Sequence, residues 1–509
     1  GWDFSTGGVK CLAFDTDGRI VAKGKTRAEV RLPTDLYHGE PPDERRNELN
    51  LMQLEGQARS SVRAMAAKLR DMGRLVDWIA GGVSATHHTA GRIDQNRVQV
   101  RRAICWNDQT LATYHAEGLE RIGEREAEKR IGGPWAVRYT LSHLVKDEDC
   151  LRLADWLRTW KILPHGPLAA GHLTGNFEVI SVSSAASTGL MNLKTCKWSW
   201  KMLDALETDR YKKLVRKQLP RIVDHCEPLG PLSEHVALEA GIDRRRRPLL
   251  FPTSDDQQAG LVGGGAVKTG QIAIVLGNSA VVNSSSESRP EDSRLDVMRL
   301  NWDRYLWMRC YNNGAQFLDQ VIGEDRRLED RDWQDLEAQA RKVPPCCEGT
   351  SVLPFARAEP SLGVRAPRLE WTPREPQSKG VKYRACLEAI AYLIALAVEE
   401  HRAAGQRIEQ VSVSGGIANS DLMCRILASA LGKPLHRLVS HEGPALGAAV
   451  TALAAMETHL RRARNIRAPY TIDDAVAQMV KFKDVVEPNF EWTREYQTGL
   501  EEFRKRLQA

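Results

Sequence analysis

The sequence predicts an α/β protein built from two domains, and three observations carry that prediction. At 509 residues the chain exceeds the roughly 250 to 300 at which a single hydrophobic core stops growing. Strand-like and helix-like stretches alternate from the first lines, which is the pattern of an α/β fold. A strand, a glycine-containing polar turn and a second strand open the chain, and the same pattern returns after Leu249. A repeat of that length reads as a duplicated domain, since solenoid repeats have periods of about 20 to 50 residues.

The opening GWDFSTGGVKCLAFDTDGRIVAKG reads as three strands joined by a glycine turn and an Asp-Gly turn, because apolar residues alternate around both. Leu51 to Lys68 carries helical spacing, and Trp78 to Ser84 resembles a short buried strand. Charge-rich helical stretches follow at Leu111 to Arg130 and Leu141 to Trp160, and the serine-rich loop after LTGNFEV reads as a surface excursion. Periodicity stops in the basic, proline-flanked connector Gly241 to Pro248, which places the domains at residues 1–247 and 248–509. In the second half, Tyr383 to Ala403 has the spacing of a long buried helix, and IEQVSVSGGIANSDLMCRILASALGKPL reads as strand, glycine turn, helix. The small residues of GPALGAAVTALAAM suit a helix that approaches another backbone closely, and the tail from Thr471 reads as amphipathic helix.

Composition narrows the class. Hydrophobic residues at 42% and charged residues at 27% are the balance of a globular enzyme rather than a disordered chain. The net charge of +6 is spread among 66 acidic residues, and only Arg244 to Arg247 is locally dense, so no nucleic-acid partner is expected. Ten cysteines lack the paired spacings of zinc sites or disulfide frameworks, so they read as free thiols in a reducing, cytoplasmic setting. No apolar run approaches the roughly 18 residues of a membrane span, so no membrane partner is expected either.

Four short motifs carry chemistry. Asp3, Ser5, Thr6, Gly7 and Gly8 form a strand end and a turn whose backbone N–H groups suit a phosphate, with an acidic residue placed to hold Mg²⁺ through water. Gly277, Asn278 and Ser279 form a comparable turn between IAIVL and AVVN. Gly415 and Gly416, with Asn419, lie where the strand QVSVS gives way to a helix, and a helix N-terminus favours a phosphate. Asp255 and Asp256 precede Gln257, Gln258, Ala259 and Gly260, where an acid either caps a helix or serves as a general base. An ordinary turn or cap explains each motif taken alone. Their pairing is the informative part.

Together GWDFSTGGVK, LTGNFEVISVSSAASTGLMNL, TSDDQQAGLVGGGAVKTGQIAIVLGNS and SGGIANSDLMCRILASALGKPL resemble the FGGY family of carbohydrate kinases, over nearly the whole chain. ICWNDQT and the run around Pro488 and Tyr496 are most similar to the xylulokinases within it. The resemblance implies two actin-like (ribonuclease H-like) domains with a cleft between them. It also implies ATP-dependent phosphorylation of a sugar hydroxyl, with D-xylulose as the leading substrate and Asp256 as the base. Sugar contacts are implied for His87, His88, Trp106, Asn107, Asp108, Asp256 and Gln257. ATP contacts are implied for Ser5, Thr6, Gly7, Gly277, Asn278, Ser279, Gly415, Gly416 and Asn419, and Mg²⁺ contacts for Asp3 and Asp256, partly through water. A sugar or polyol, ATP and a second copy in a homodimer are the expected partners. Two departures keep rivals open. Thr86, His87, His88 and Thr89 stand where xylulokinases usually show Gln-Met-His-Gly, and Asn278 stands where threonine is usual. The rivals are a kinase for D-ribulose, L-ribulose, glycerol or gluconate, and a catalytically weak ATP- or sugar-binding sensor.

Overall fold

The computed structural model describes residues 1–27, 45–252, 254–277, 279–290, 294–323 and 328–508. Contacts divide the chain into two units. The first comprises Gly1–Gly263, Asp296–Leu306 and Pro444–Val480, and the second Gly264–Leu295, Trp307–Gly443 and Lys481–Ala509. The division thus falls after Gly263 rather than at the basic connector ending at Arg247. The reason is that the strand Leu249–Phe251, just beyond that connector, pairs in parallel with residues 80 to 82 of the first unit.

In the first unit, β1 (Trp2–Ser5), β2 (Gly8–Phe14), β3 (Ile20–Arg27), β4 (Ala80–Ala85), β5 (Gly230–Pro231) and β6 (Leu249–Phe251) form one sheet in the order β5-β6-β4-β1-β2-β3. β1 runs parallel to β4, and β4 parallel to β6, while β1 and β2 form the antiparallel hairpin closed at Ser5 and Gly8. Helix α1 (Leu51–Asp71) starts at Asn50, whose side chain accepts from the Met52 N–H, the usual way a helix end satisfies a free donor. α1 buries Leu54, Ala58, Val62 and Met65 in one core with Trp2, Phe4 and Val83. The Trp2 indole N–H donates to Ser61 Oγ on α1 at 3.1 Å, so even the polar edge of this core is satisfied.

Two expectations are corrected here. The stretch from Leu111 to Arg130 is two helices, Leu111–Ile122 and Glu124–Ile131, because Gly123 between them takes φ 86°. The serine-rich segment is no surface excursion. It forms α2 (His165–Thr174), a strand Val179–Ser181 and the short helix α3 (Val182–Ala186), and Ser181, Ser183, Ser184 and Ser187 are all buried. The Ser184 and Ser187 hydroxyls are turned to an acidic partner in the interior, described below.

In the second unit the topology recurs. β7 (Gln271–Leu276), β8 (Ala280–Ser286), β9 (Tyr305–Tyr311), β10 (Gln410–Ser414), β11 (Leu435–Leu438) and β12 (Phe482–Val486) order themselves β9-β8-β7-β10-β11-β12. β7 and β8 form an antiparallel hairpin, and β7 runs parallel to β10, as β1 does to β4. The buried helix expected from Tyr383 is α5 (Lys379–Ala403), whose Leu387, Ile390, Leu393 and Ile394 pack with Ile272, Ile274, Phe317 and Phe355. The tail is not helical throughout. Between the helices Ile472–Met479 and Phe490–Gln508, residues 482 to 486 form β12, because the sequence FKDVV pairs antiparallel with β11 and completes an edge of the sheet.

All ten cysteines are free, as expected. Among the described residues no helix is long and apolar enough to cross a membrane. The dense arginines are a solvated loop: Arg244 pairs with Glu234 at 2.9 Å, and Arg247 donates to the Leu232 carbonyl.

Buried histidines make stability depend on pH. Burial holds His143 and His401 down to about 3 and His165 to about 4, so the fold keeps all three neutral. Below pH 6.5 the unfolded chain takes up protons that the folded chain refuses, so stability is lost as pH falls from about 6.5 toward 4. Each such histidine contributes a slope of about 1.4 kcal/mol per pH unit in that window. Urea unfolding at pH 7, 6 and 5 should show this, and His401→Gln should make the transition of the second unit less steep in pH while lowering its midpoint at pH 7.

Candidate active site

Asp3, His87, His88, Asp255 and Asp256 lie toward the carboxyl ends of β1, β4 and β6, the edge where open α/β sheets bind ligands. Asp3 is in register with Ser84, and an isolated parallel bridge between Ala85 and Asp255 joins the end of β4 to the segment beyond β6. Neighbouring strands therefore deliver Asp3, the residues 86 to 88, and Asp255 and Asp256 to one place.

The two adjacent aspartates have different surroundings. Asp255 is buried, with its Oδ1 accepting from Ser184 Oγ at 3.1 Å and its Oδ2 from Ser187 Oγ at 2.7 Å. Both serines belong to the turn around α3, which Ser181 caps by accepting from the Ser184 N–H. Asp256 opens helix α4 (Asp256–Gly263), and its Oδ1 is enclosed without a hydrogen-bond partner. Removal from water, then the negative charges of Asp3 and Asp255, raise the Asp256 carboxyl to about 8. Burial also raises Asp255, to about 7, against the two serine hydrogen bonds that favour its charged form. The two acids thus differ: Asp255 has both oxygens on serine hydroxyls, while Asp256 keeps one enclosed oxygen without a partner.

His87 and His88 face this pair. Their rings stack at 3.6 Å between centroids, and His88 stacks in turn on Tyr139 at 4.7 Å. Burial, followed by the charge of Arg138, holds His87 far below its usual range, and burial with His87 and Arg138 does the same to His88. Both rings are therefore neutral. The His88 Nδ1–H donates to the Ser187 carbonyl at 3.2 Å, which leaves its buried Nε2 as an acceptor. His88 sits at φ 55°, a left-handed backbone uncommon outside glycine, and such positions gather at functional sites. Arg138 itself pairs with Asp296.

The expected residues divide as follows. Asp3, His87, His88, Asp256 and the half-buried Gln257 belong to this cluster. Ser5, Thr6 and Gly7 form the turn that closes β1 and β2; Ser5 Oγ donates to the Gly8 carbonyl, and a side chain at Gly7 would meet nothing within 4 Å, so its backbone is open to a ligand. Trp106 and Asn107 are half-buried on the turn after the strand Gln99–Ile104. Asp108 beside them is tied down: it accepts from the Asn47 and Thr110 N–H groups at 2.9 Å each and lies 3.9 Å from Lys146. In the second unit, Gly277 and Ser279 turn β7 into β8, while Asn278 lies outside the described residues. Gly415 ends β10 at φ 101°, and a Cβ there would stand 2.3 Å from the Leu276 carbonyl oxygen, so only glycine lets the two turns touch. Gly416 and Asn419 next to it are exposed, and Ser420 caps the following helix by accepting from the Met423 N–H.

Sequence reasoning missed the partners of Asp255. Ser184 and Ser187 look like loop serines, and Tyr139 lies in a stretch without periodicity. Their single available signal was a run of hydroxyl residues, VSSAAST, too apolar around it for a solvated loop. The acidic cluster also suits a divalent cation: Asp3 and Asp256 bring two carboxylates together, and one Asp256 oxygen has no partner.

Comparison with known proteins identifies the family. A model of the N-terminal domain of the FGGY family of carbohydrate kinases matches residues 1–263, and one of its C-terminal domain matches residues 272–456. The xylulose kinase of Escherichia coli strain K12 is 27% identical over 471 residues, covering 88% of this chain and 88% of that protein. A gluconokinase of Bacillus licheniformis is 23% identical, covering 89% and 87%. The crystal structure of a xylulose kinase from Lactobacillus acidophilus superposes with a TM-score of 0.81 at 18% identity, covering 99% of this chain and 96% of that one. The fold is thus that of the two-domain sugar kinases. The chain belongs to the FGGY family of carbohydrate kinases.

Two predictions test the geometry. Ser187→Ala removes a hydrogen bond to a buried acid and should destabilise the first unit by about 1.5 to 3 kcal/mol. In denaturant unfolding that loss should shrink when Asp255→Asn is already present, as expected for residues in direct contact. Gly415→Ala forces a left-handed alanine against the Leu276 carbonyl, so nucleotide affinity, read by calorimetric titration with ADP, should fall at least about tenfold.

Proposed function

We propose that the chain transfers the γ-phosphoryl group of ATP to a hydroxyl of a sugar, with D-xylulose as the first substrate to try and Asp256 as general base. The observation that supports this most is the contrast within the aspartate pair: Asp255 has both oxygens on serine hydroxyls, while Asp256 Oδ1 is enclosed and free to take a proton. Asp256 would orient the acceptor hydroxyl and remove its proton as it attacks phosphorus. The turns at Ser5–Gly7 in the first unit and at Gly277, Ser279, Gly415 and Gly416 in the second, of which Gly7 and Gly416 have open space beside them, would hold the phosphates and adenosine through backbone groups. Asp3 and Asp256 would hold Mg²⁺, partly through water, and the bound ion supplies charge neutralisation on the phosphates. His87 and His88 would receive sugar hydroxyls.

ADP release measured over ketoses, polyols and aldonic acids tests the reading. D-xylulose should stimulate it most, and Asp256→Asn should lower kcat by about 10² to 10⁴ with the sugar KM much less changed. A parent chain that no sugar stimulates would sink the kinase reading, and a fully active Asp256→Asn variant would move the base elsewhere.

A further inference from the structure

One cavity of the first unit shares no lining residue with the aspartate cluster. It is an open groove of about 730 Å³, within the roughly 300 to 1,000 Å³ range of small-molecule sites. Its walls come from the strand beginning at Lys161, the hairpin end at Lys197 and Trp198, the end of the helix Asp209–Gln218, and the strand Arg221–Val223.

Charge in the groove is one-sided. Lys161, Lys197, Arg216 and Arg221 line it against a single carboxylate, Glu178. Glu178 is taken by Lys161, and Arg221 reaches Glu227 at 2.5 Å. Lys197 and Arg216 are exposed, and among the described residues no carboxylate pairs with either. Two cations without counter-charge on one concave wall are a binding element for an anion.

Two aromatic rings, Trp198 and Trp200, line the groove beside these cations. The Trp198 and Trp200 rings lie 6.4 Å apart and tilted by 40°, and the Trp198 N–H is fixed on the Pro220 carbonyl at 3.0 Å. The Arg216 guanidinium stands 5.7 Å from the centre of the Trp200 ring, so charge and aromatic face adjoin. Rings at this tilt make an angled wall, not the parallel slot that would grip a flat nucleobase. An angled wall suits the C–H face of a puckered sugar.

We propose that this groove is a second small-molecule site, which takes a phosphorylated sugar with its phosphate on Lys197 and Arg216 and its ring against Trp198 and Trp200. The site goes beyond the phosphoryl-transfer reading and does not depend on it.

Calorimetric titration of the full chain with glucose 6-phosphate tests the proposal, with glucose and inorganic phosphate as separate arms. Saturable binding of the sugar phosphate is expected, and loss of two charge-assisted contacts in Lys197→Ala/Arg216→Ala should weaken it by about tenfold or more. Glucose and phosphate should each bind at least about tenfold more weakly than the sugar phosphate. Both substituted residues are exposed, so the variant should fold; Arg216→Glu, with the same expected loss, provides a second variant. No saturable binding to the parent, or equal affinity in the variants, would overturn the site. Inorganic phosphate binding as tightly as the sugar phosphate would overturn its sugar specificity and leave an anion site only.

Discussion

Three carboxyl groups, Asp3, Asp255 and Asp256, are gathered at the strand ends of one sheet, and their removal from water is the constraint on which the surrounding structure depends. A buried carboxylate is tolerated only with partners. Asp255 obtains them from Ser184 and Ser187, which requires the serine turn to be interior and α3 to be short and sharply capped. Asp256 is left with an open oxygen and an elevated affinity for protons.

The scaffold beneath this cluster is used twice. In both units the first strand of an antiparallel hairpin also runs parallel to a strand from later in the chain, and the ligand-type turns sit at the ends of these strands. The two copies differ in what the turns carry. In the first unit acids and histidines gather at the ends of the strands. In the second unit glycines follow them, and Gly415 lies so close to Leu276 that backbone groups, not side chains, form the surface.

How much of this was legible in the sequence depends on the range of the interaction. β1 and β2, α1, α5 and the glycine turns were readable because alternation, helical spacing and turn residues act over a few positions. The pairing of Leu249–Phe251 with β4 joins residues about 170 apart, so a local change in composition at Arg244 to Arg247 suggested a boundary that contacts do not respect. FKDVV was read as helix because its neighbours are helical, and only its partner β11 makes it a strand. The serine turn failed for a related reason. Serine reads as surface unless an interior acid is known to face it, and that acid lies roughly 70 residues away along the chain.

The histidine pair bears on which substrate the cluster favours. A protonated imidazole would attract a carboxylate, as an aldonate carries, but burial keeps both rings neutral. With its Nδ1–H on the Ser187 carbonyl, His88 presents a lone pair at Nε2, and a lone pair accepts from a hydroxyl and repels a carboxylate. The nearby positive charge of Arg138 does not reverse this, because Asp296 pairs with it. On electrostatic grounds the cluster therefore supports a neutral ketose or polyol over gluconate as the proposed acceptor, even though gluconokinases stand among the relatives of the chain.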